Sequence, residues 1–185
     1  KVGTFSTIIH QGINNAMKVG QQTGRTYNLH NVGNGNGTGP FIPLSLQDTL
    51  PLGDQEVHVW LAPLRATSAT ILDLWDTLGA DEKQRALRFR FQKDCDRFIV
   101  ARGLLRAILG RYLNRIPGQI EFEYNEFGKP SVLQSPGSRA VDFNLSHTDE
   151  LALFAFTRCG PVGVDIERMR TDLISESVAE QFFSI

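Results

Sequence analysis

The 185-residue chain is poor in several things that would narrow its class. It has two cysteines, Cys95 and Cys159, far apart and without a CxxC pair. That excludes a disulfide-stapled scaffold or a cysteine-rich metal site and fits a reduced, cytosolic setting. It lacks net charge: 19 Lys and Arg against 20 Asp and Glu give −1, so nothing in bulk points to nucleic acid or an anionic membrane surface. No apolar run approaches the length of a membrane span. The first residues, KVGTFSTIIHQG, lack the basic-then-apolar layout of a secretory leader. His10, His30 and His58 have no metal-ligand spacing and read as surface or packing residues. What remains is an ordinary globular balance, 41% apolar and 21% charged, sized for one domain or a domain with a tail.

Two regimes are visible. Residues 1–54 are rich in Gly, Asn, Thr and Gln and culminate in NVGNGNGTGP (Asn31–Pro40). They read as an extension with weak structure of its own. The glycines there do not spell a phosphate-binding GxxxxGK[ST] loop. From Glu56 the texture changes. EVHVWLAPL alternates as a strand. TSATILDLWDTLGA reads as a helix capped by Ser68 or Thr70 and stopped at Gly79. DEKQRALRFRFQ reads as a basic helix, with Arg85 and Arg88 on one face. DCDRFIVARGLLRAILGRYLN is the longest helical candidate, with Phe98, Ala101, Leu104 or Leu105, Ile108 and Tyr112 at helical spacing. QIEFEYN alternates as a strand, FGKP reads as a turn, and AVDFNLSH and LALFAFTR read as a hairpin closed by HTDE. VGVDIE forms another strand, and SESVAEQFFS begins a helix. The order implies an α+β fold.

Four short stretches carry possible chemistry. In PVGVDIERM, Val162, Val164 and Ile166 alternate with Gly163, Asp165 and Glu167, so the two acids share one strand face, about 6 to 7 Å apart along the backbone. Such a face is usually only solvated; read functionally, it is a site for a hard divalent cation. In FNLSHT, Ser146 and His147 close a strand, and an imidazole there can donate to a phosphate. In FGKP, Lys129 is held between Gly128 and Pro130, well placed to hold an anion. Lys83, Arg85, Arg88, Arg90, Lys93 and Arg97 cluster in a chain whose overall charge is near zero. Arg102 and Arg106 are i,i+4 neighbours on the long helix, with Arg111 beyond them.

Singly these are weak; their order is specific. RFRFQKDCDRFIVARGLLRAILGRYL, FGKP, FNLSHT, VGVDIE and AEQFFS in succession resemble the Sfp-type 4'-phosphopantetheinyl transferases over roughly Glu56 to Ser184. The resemblance implies transfer of the phosphopantetheine arm of coenzyme A to a serine of an apo acyl or peptidyl carrier protein, with release of 3',5'-ADP. It implies an α+β pseudo-dimer with coenzyme A and Mg2+ in the cleft between its halves. Carried over by position, Asp165 and Glu167 are metal carboxylates and catalytic groups, and Asp165 also contacts coenzyme A. Arg85, Lys129, Pro130, Ser146 and His147 are coenzyme A contacts, with His147 and Arg85 on the 3'-phosphate; Lys83, Arg88 and Arg97 match less securely.

The family pattern also includes a W-x-x-K-E segment well beyond VGVDIE, which supplies a third acid and a lysine. The sequence ends at Ile185 without it. The expectation is therefore an extension (1–54), an N-terminal transferase subdomain (55–158) and the start of a C-terminal one (159–185), transferring slowly or not at all alone. The alternative is a catalytically incomplete fragment that binds coenzyme A or a partner. The expected setting is cytoplasmic, with neither nucleic acid nor membrane as partner.

Overall fold

Helix α3 (Gln92–Leu113) organises the molecule. Its 22 residues contain no proline, and Ile99, Val100, Leu104, Leu105, Ile108 and Leu109 are almost fully buried. It stops at Asn114, whose left-handed backbone (φ 51°) is one a short polar side chain tolerates. The computed structural model describes residues 5–11, 17–19, 26–31, 49–133 and 140–168. The expected helix in SESVAEQFFS lies outside them.

Helix α1 (Ser68–Thr77) packs on α3, with Leu74 seated where Gly103 leaves room. Its cap is Thr67, not Ser68 or Thr70: Thr67 has extended backbone, and its Oγ1 accepts from the Thr70 N–H at 3.2 Å. Gly79 does not stop this helix but opens the next, α2 (Ala80–Ala86). The basic helix expected over 81–92 ends at Ala86. Phe89 packs against Phe98 of α3, ring centroids 5.4 Å apart, so the chain has to fold back on itself. Arg88 lies just past the helix end but still shares a surface hollow with Arg85, as expected.

The main sheet has the order β3 (Thr26–Asn31), β4 (Glu56–Pro63), β8 (Leu151–Thr157), β7 (Asp142–His147). The expected hairpin forms, with Phe143 opposite Phe156 and His147 opposite Ala152. Strand β8 is apolar from Leu151 to Phe156 because both its faces are covered. Ala152, Phe154 and Phe156 join Trp60, Ala62 and Phe143 against the helices. Leu153 and Ala155 face the other way with Val57 and Val59, and meet Val162, Val164 and Ile166 of β9 (Val162–Arg168). A two-stranded hairpin, β5 (Phe122–Tyr124) with β6 (Pro130–Val132), completes the core side.

The described residues within 1–54 include three strands. Strand β1 (Phe5–Gln11) runs parallel to β9 and antiparallel to β2 (Met17–Val19), and β3 runs parallel to β4. Polar residues conceal a strand when ladder bonds to a neighbour, rather than its own apolar face, hold it. The boundary expected at 158/159 falls in the turn before β9, which folds back on the sheet. His58 is indeed a packing residue, 5% exposed, its Nδ1 2.8 Å from the Tyr112 hydroxyl.

Candidate functional site

An open cleft of about 800 Å3 lies between the end of α2, the face of α3, the FGKP turn and the end of β7. Four expected contacts line it: Arg85, Lys129, Pro130 and His147. They come from three separate segments, so folding makes the cluster.

Each is positioned differently. Arg85 sits in the last turn of α2, its guanidinium 5.5 Å from the centre of the Phe98 ring. Lys129 rides on a turn built by Asn125, whose Oδ1 accepts from the N–H groups of Phe127 (3.0 Å) and Lys129 (2.9 Å). Gly128 supplies the left-handed residue (φ 74°) of that turn. The Lys129 Nζ reaches the Val162 carbonyl at 3.4 Å, so the same side chain touches the start of β9. His147 is exposed at the end of β7. Arg97 also lines the cleft, between Asp94 (3.4 Å) and Asp149 (3.6 Å). Lys83 does not; its ammonium lies over Trp75. Arg88 lines a smaller neighbouring hollow with Arg85, Tyr124 and Asp81.

Ser146 does not share a surface with His147, because strand neighbours point to opposite faces. The Ser146 hydroxyl donates to Asp165 Oδ1 at 2.6 Å and accepts from the Ile166 N–H at 3.2 Å. With Asn144 Oδ1, which accepts from Val164 N–H at 3.0 Å, it joins β7 to β9 through side chains. On β9 the apolar residues are buried and Asp165 and Glu167 are exposed on the other face, as the alternation predicts. Two carboxylates and a hydroxyl are hard oxygen donors, the chemistry Mg2+ takes when waters or substrate phosphates complete its shell. No group of three His, Cys, Asp or Glu that could hold a metal occurs among the described residues. The donor set thus fits Mg2+ with a phosphate ligand and is too sparse for a cage made of protein alone.

Asp142, where β7 begins, lies within electrostatic reach of Lys129. Burial pushes its carboxyl above the ordinary 3.8, and nearby Lys129 pulls it partly back. Folding therefore favours the protonated acid. That stability is fully present below about 3.8 and is lost as pH rises through the higher folded value. Asp142→Asn is expected to raise the melting temperature at pH 7, with the gap to wild type closing as pH falls towards 3.8. Thermal melts across that range check it.

Sequence reasoning missed two features. One is Asn125; its signal was an Asn four residues before Lys129, able to cap the turn. The other is Glu82, 2% exposed and paired with both Arg102 and Arg106. Nothing in the alternation of α2 marks that acid as buried.

Comparison with known proteins gives the family. Residues 63–158 match the family model described as 4'-phosphopantetheinyl transferase, N-terminal. The chain is 42% identical over 134 residues to the 4'-phosphopantetheinyl transferase HetI of Nostoc sp., covering 72% of this chain and 56% of that protein. It is 32% identical over 111 residues to 4'-phosphopantetheinyl transferase ffp of Bacillus subtilis, covering 60% and 47%. It is 30% identical over 107 residues to 4'-phosphopantetheinyl transferase Sfp of Bacillus subtilis strain 168, covering 58% and 45%. The chain thus spans about half the length of the curated relatives it matches.

Proposed function

Because this chain belongs to the 4'-phosphopantetheinyl transferase family, we propose that it serves the transfer of 4'-phosphopantetheine from coenzyme A to a serine of an apo acyl or peptidyl carrier protein, with Mg2+ as cofactor. The observation that carries the reading is the convergence of Arg85, Lys129 and His147 on one cleft, in a chain whose net charge is near zero. Such a cluster suits a ligand with several phosphates. Coenzyme A is such a ligand, with a pyrophosphate and a 3'-phosphate.

The residues divide the work. Arg85 and His147 hold the 3'-phosphate, and Lys129 and Pro130 hold the nucleotide against the turn. Fixing this distant end orients the pyrophosphate for in-line displacement, in which positioning and charge neutralisation do most of the catalysis. Ser146 orients Asp165, and Asp165 and Glu167 would hold Mg2+. When bound, the ion neutralises charge on the pyrophosphate oxygens. The carrier serine oxygen attacks the phosphorus that bears the pantetheine arm. The serine proton passes to solvent, the bond from that phosphorus to the bridging oxygen breaks, and the oxygen leaves with the nucleotide phosphate of 3',5'-ADP. In this reading the described residues form the first half, and the start of the second, of a pseudo-dimeric transferase. Cys95 and Cys159 are both free, which supports a cytoplasmic setting.

The span of about half its relatives favours a second reading, a part that binds coenzyme A without turning it over. One experiment separates the two: the chain is mixed with coenzyme A, Mg2+ and an apo carrier protein and followed by intact mass, with calorimetry against 3',5'-ADP alongside. A carrier mass gain of one phosphopantetheine supports transfer. Binding without a mass gain supports the second reading, and neither binding nor transfer overturns both.

A further inference from the structure

The two basic arms of the cleft sit on elements too short to hold their own shape. Arg85 is on α2, seven residues long, and a helix of that length is marginal in isolation. Lys129 is on the turn of a hairpin whose strands have three residues each. Neither element belongs to the main sheet. Something else has to set the distance between them.

Both arms are tied to α3 by one buried cluster. Glu82, one turn before Arg85, accepts from Arg102 Nε at 2.6 Å through Oε1. Its Oε2 accepts from Arg106 Nε at 2.5 Å and from the Gly79 N–H at 2.9 Å. That fixes α2 on α3. Arg106 then turns its Nη1 to the carbonyls of Pro117 (2.9 Å) and Ile120 (2.8 Å), which fixes the chain just before the hairpin. Arg102 Nη2 lies 3.3 Å from the Tyr124 hydroxyl, which donates to Asp81 Oδ2 at 3.1 Å; Tyr124 is in the hairpin and Asp81 in α2. Phe122 is covered by both guanidiniums, at 4.8 and 5.0 Å. Each guanidinium thus bridges the two arms, and the planar fork of arginine makes several directed bonds at once where lysine makes point contacts.

We infer that Glu82, Arg106 and Tyr124 are positioning residues for the cleft: they hold Arg85 at a set separation from Lys129, and so select a ligand with a second phosphate over one with a single phosphate. This rests on the coenzyme A reading above. Arg106 and Tyr124 do not line the cleft, so altering them does not remove a ligand contact.

The test compares 3',5'-ADP with 5'-AMP by calorimetry for the wild type, Arg106→Lys and Tyr124→Phe, with thermal melts in parallel. Arg106→Lys keeps the charge but cannot serve Glu82 and two carbonyls together. Tyr124→Phe removes only the bridging hydroxyl and leaves the core intact. The wild type is expected to favour 3',5'-ADP. That preference is expected to fall by about two- to thirtyfold, the range seen for residues that act on a site from a distance, with Arg106→Lys at the upper end and Tyr124→Phe at the lower. A purely structural role would lower the melting temperature, or weaken both ligands equally, and leave the preference unchanged; that result overturns the inference while the coenzyme A reading stands. If Arg106→Lys does not fold, Tyr124→Phe decides alone. A wild type that binds neither nucleotide overturns the reading and the inference together.

Discussion

Glu82→Ala is expected to lower the unfolding free energy by about 3–5 kcal/mol, the usual consequence of removing one partner from a buried ion pair. Glu82 is 2% exposed, Arg102 7% and Arg106 3%. With the carboxylate gone, two guanidiniums stay buried beside each other with only neutral acceptors. The Gly79 N–H loses its acceptor as well, so the first turn of α2 loosens. A domain of this size is stable by about 5–15 kcal/mol, so the loss is a large share of the whole. Urea denaturation followed by circular dichroism measures it. Replacing all three residues by apolar ones of similar volume is expected to restore much of the loss, because the charges no longer need solvation. A loss below about 1 kcal/mol for Glu82→Ala would mean that water reaches the pair and that the cluster is not a buried one.

Asp165→Asn carries the second large effect, on binding rather than on folding. The Asp165 side chain is exposed and accepts one hydrogen bond, from Ser146. The amide oxygen of Asn can still accept that bond, so stability is expected to stay within about 0.5 kcal/mol. What is lost is negative charge on a two-carboxylate face. If Asp165 and Glu167 hold Mg2+ against the pyrophosphate, Mg2+ tightens coenzyme A binding in the wild type, and Asp165→Asn removes most of that gain. Metal polarisation of a phosphoryl oxygen is worth several kcal/mol, so any transfer the chain supports is expected to fall on the order of a hundredfold or more. Calorimetry of coenzyme A with Mg2+ and with EDTA reads the first quantity, and carrier modification rates read the second. Equal Mg2+ dependence in the two proteins would assign Asp165 to joining β7 and β9 and nothing more.

The contrast between these residues shows what a sequence reader can see. Asp165 and Glu167 were legible because strand alternation places them opposite Val162, Val164 and Ile166, and those three are buried as expected. Lys129 was legible because Gly128 and Pro130 mark a turn. Glu82 was not, since an acid between Asp81 and Lys83 in a charged helix looks like any solvated acid. Its burial depends on Arg102 and Arg106, which arrive from another helix. The end of α2 was misread for a related reason: helical spacing continues past Ala86, and only the contact between Phe89 and Phe98 breaks it. Strands β1 and β3 were hidden because their pairing partners β9 and β4 lie far along the chain.

What the sequence by itself determined is what is local. It set the long helix and its end at Asn114, the β7–β8 hairpin, the sided β9 strand, the FGKP turn and, through the order of these pieces, the family. What only the tertiary structure decided is which of those pieces meet. Arg85, Lys129 and His147 share a cleft because α2 and the β5–β6 hairpin both dock on α3. Ser146 turns away from His147 to Asp165 because β9 crosses the back of the sheet beside β7. Periodicity and turn chemistry act between near neighbours and can be read along a chain. Burial and ion pairing act between residues far apart in sequence, and they exist only once the chain has folded.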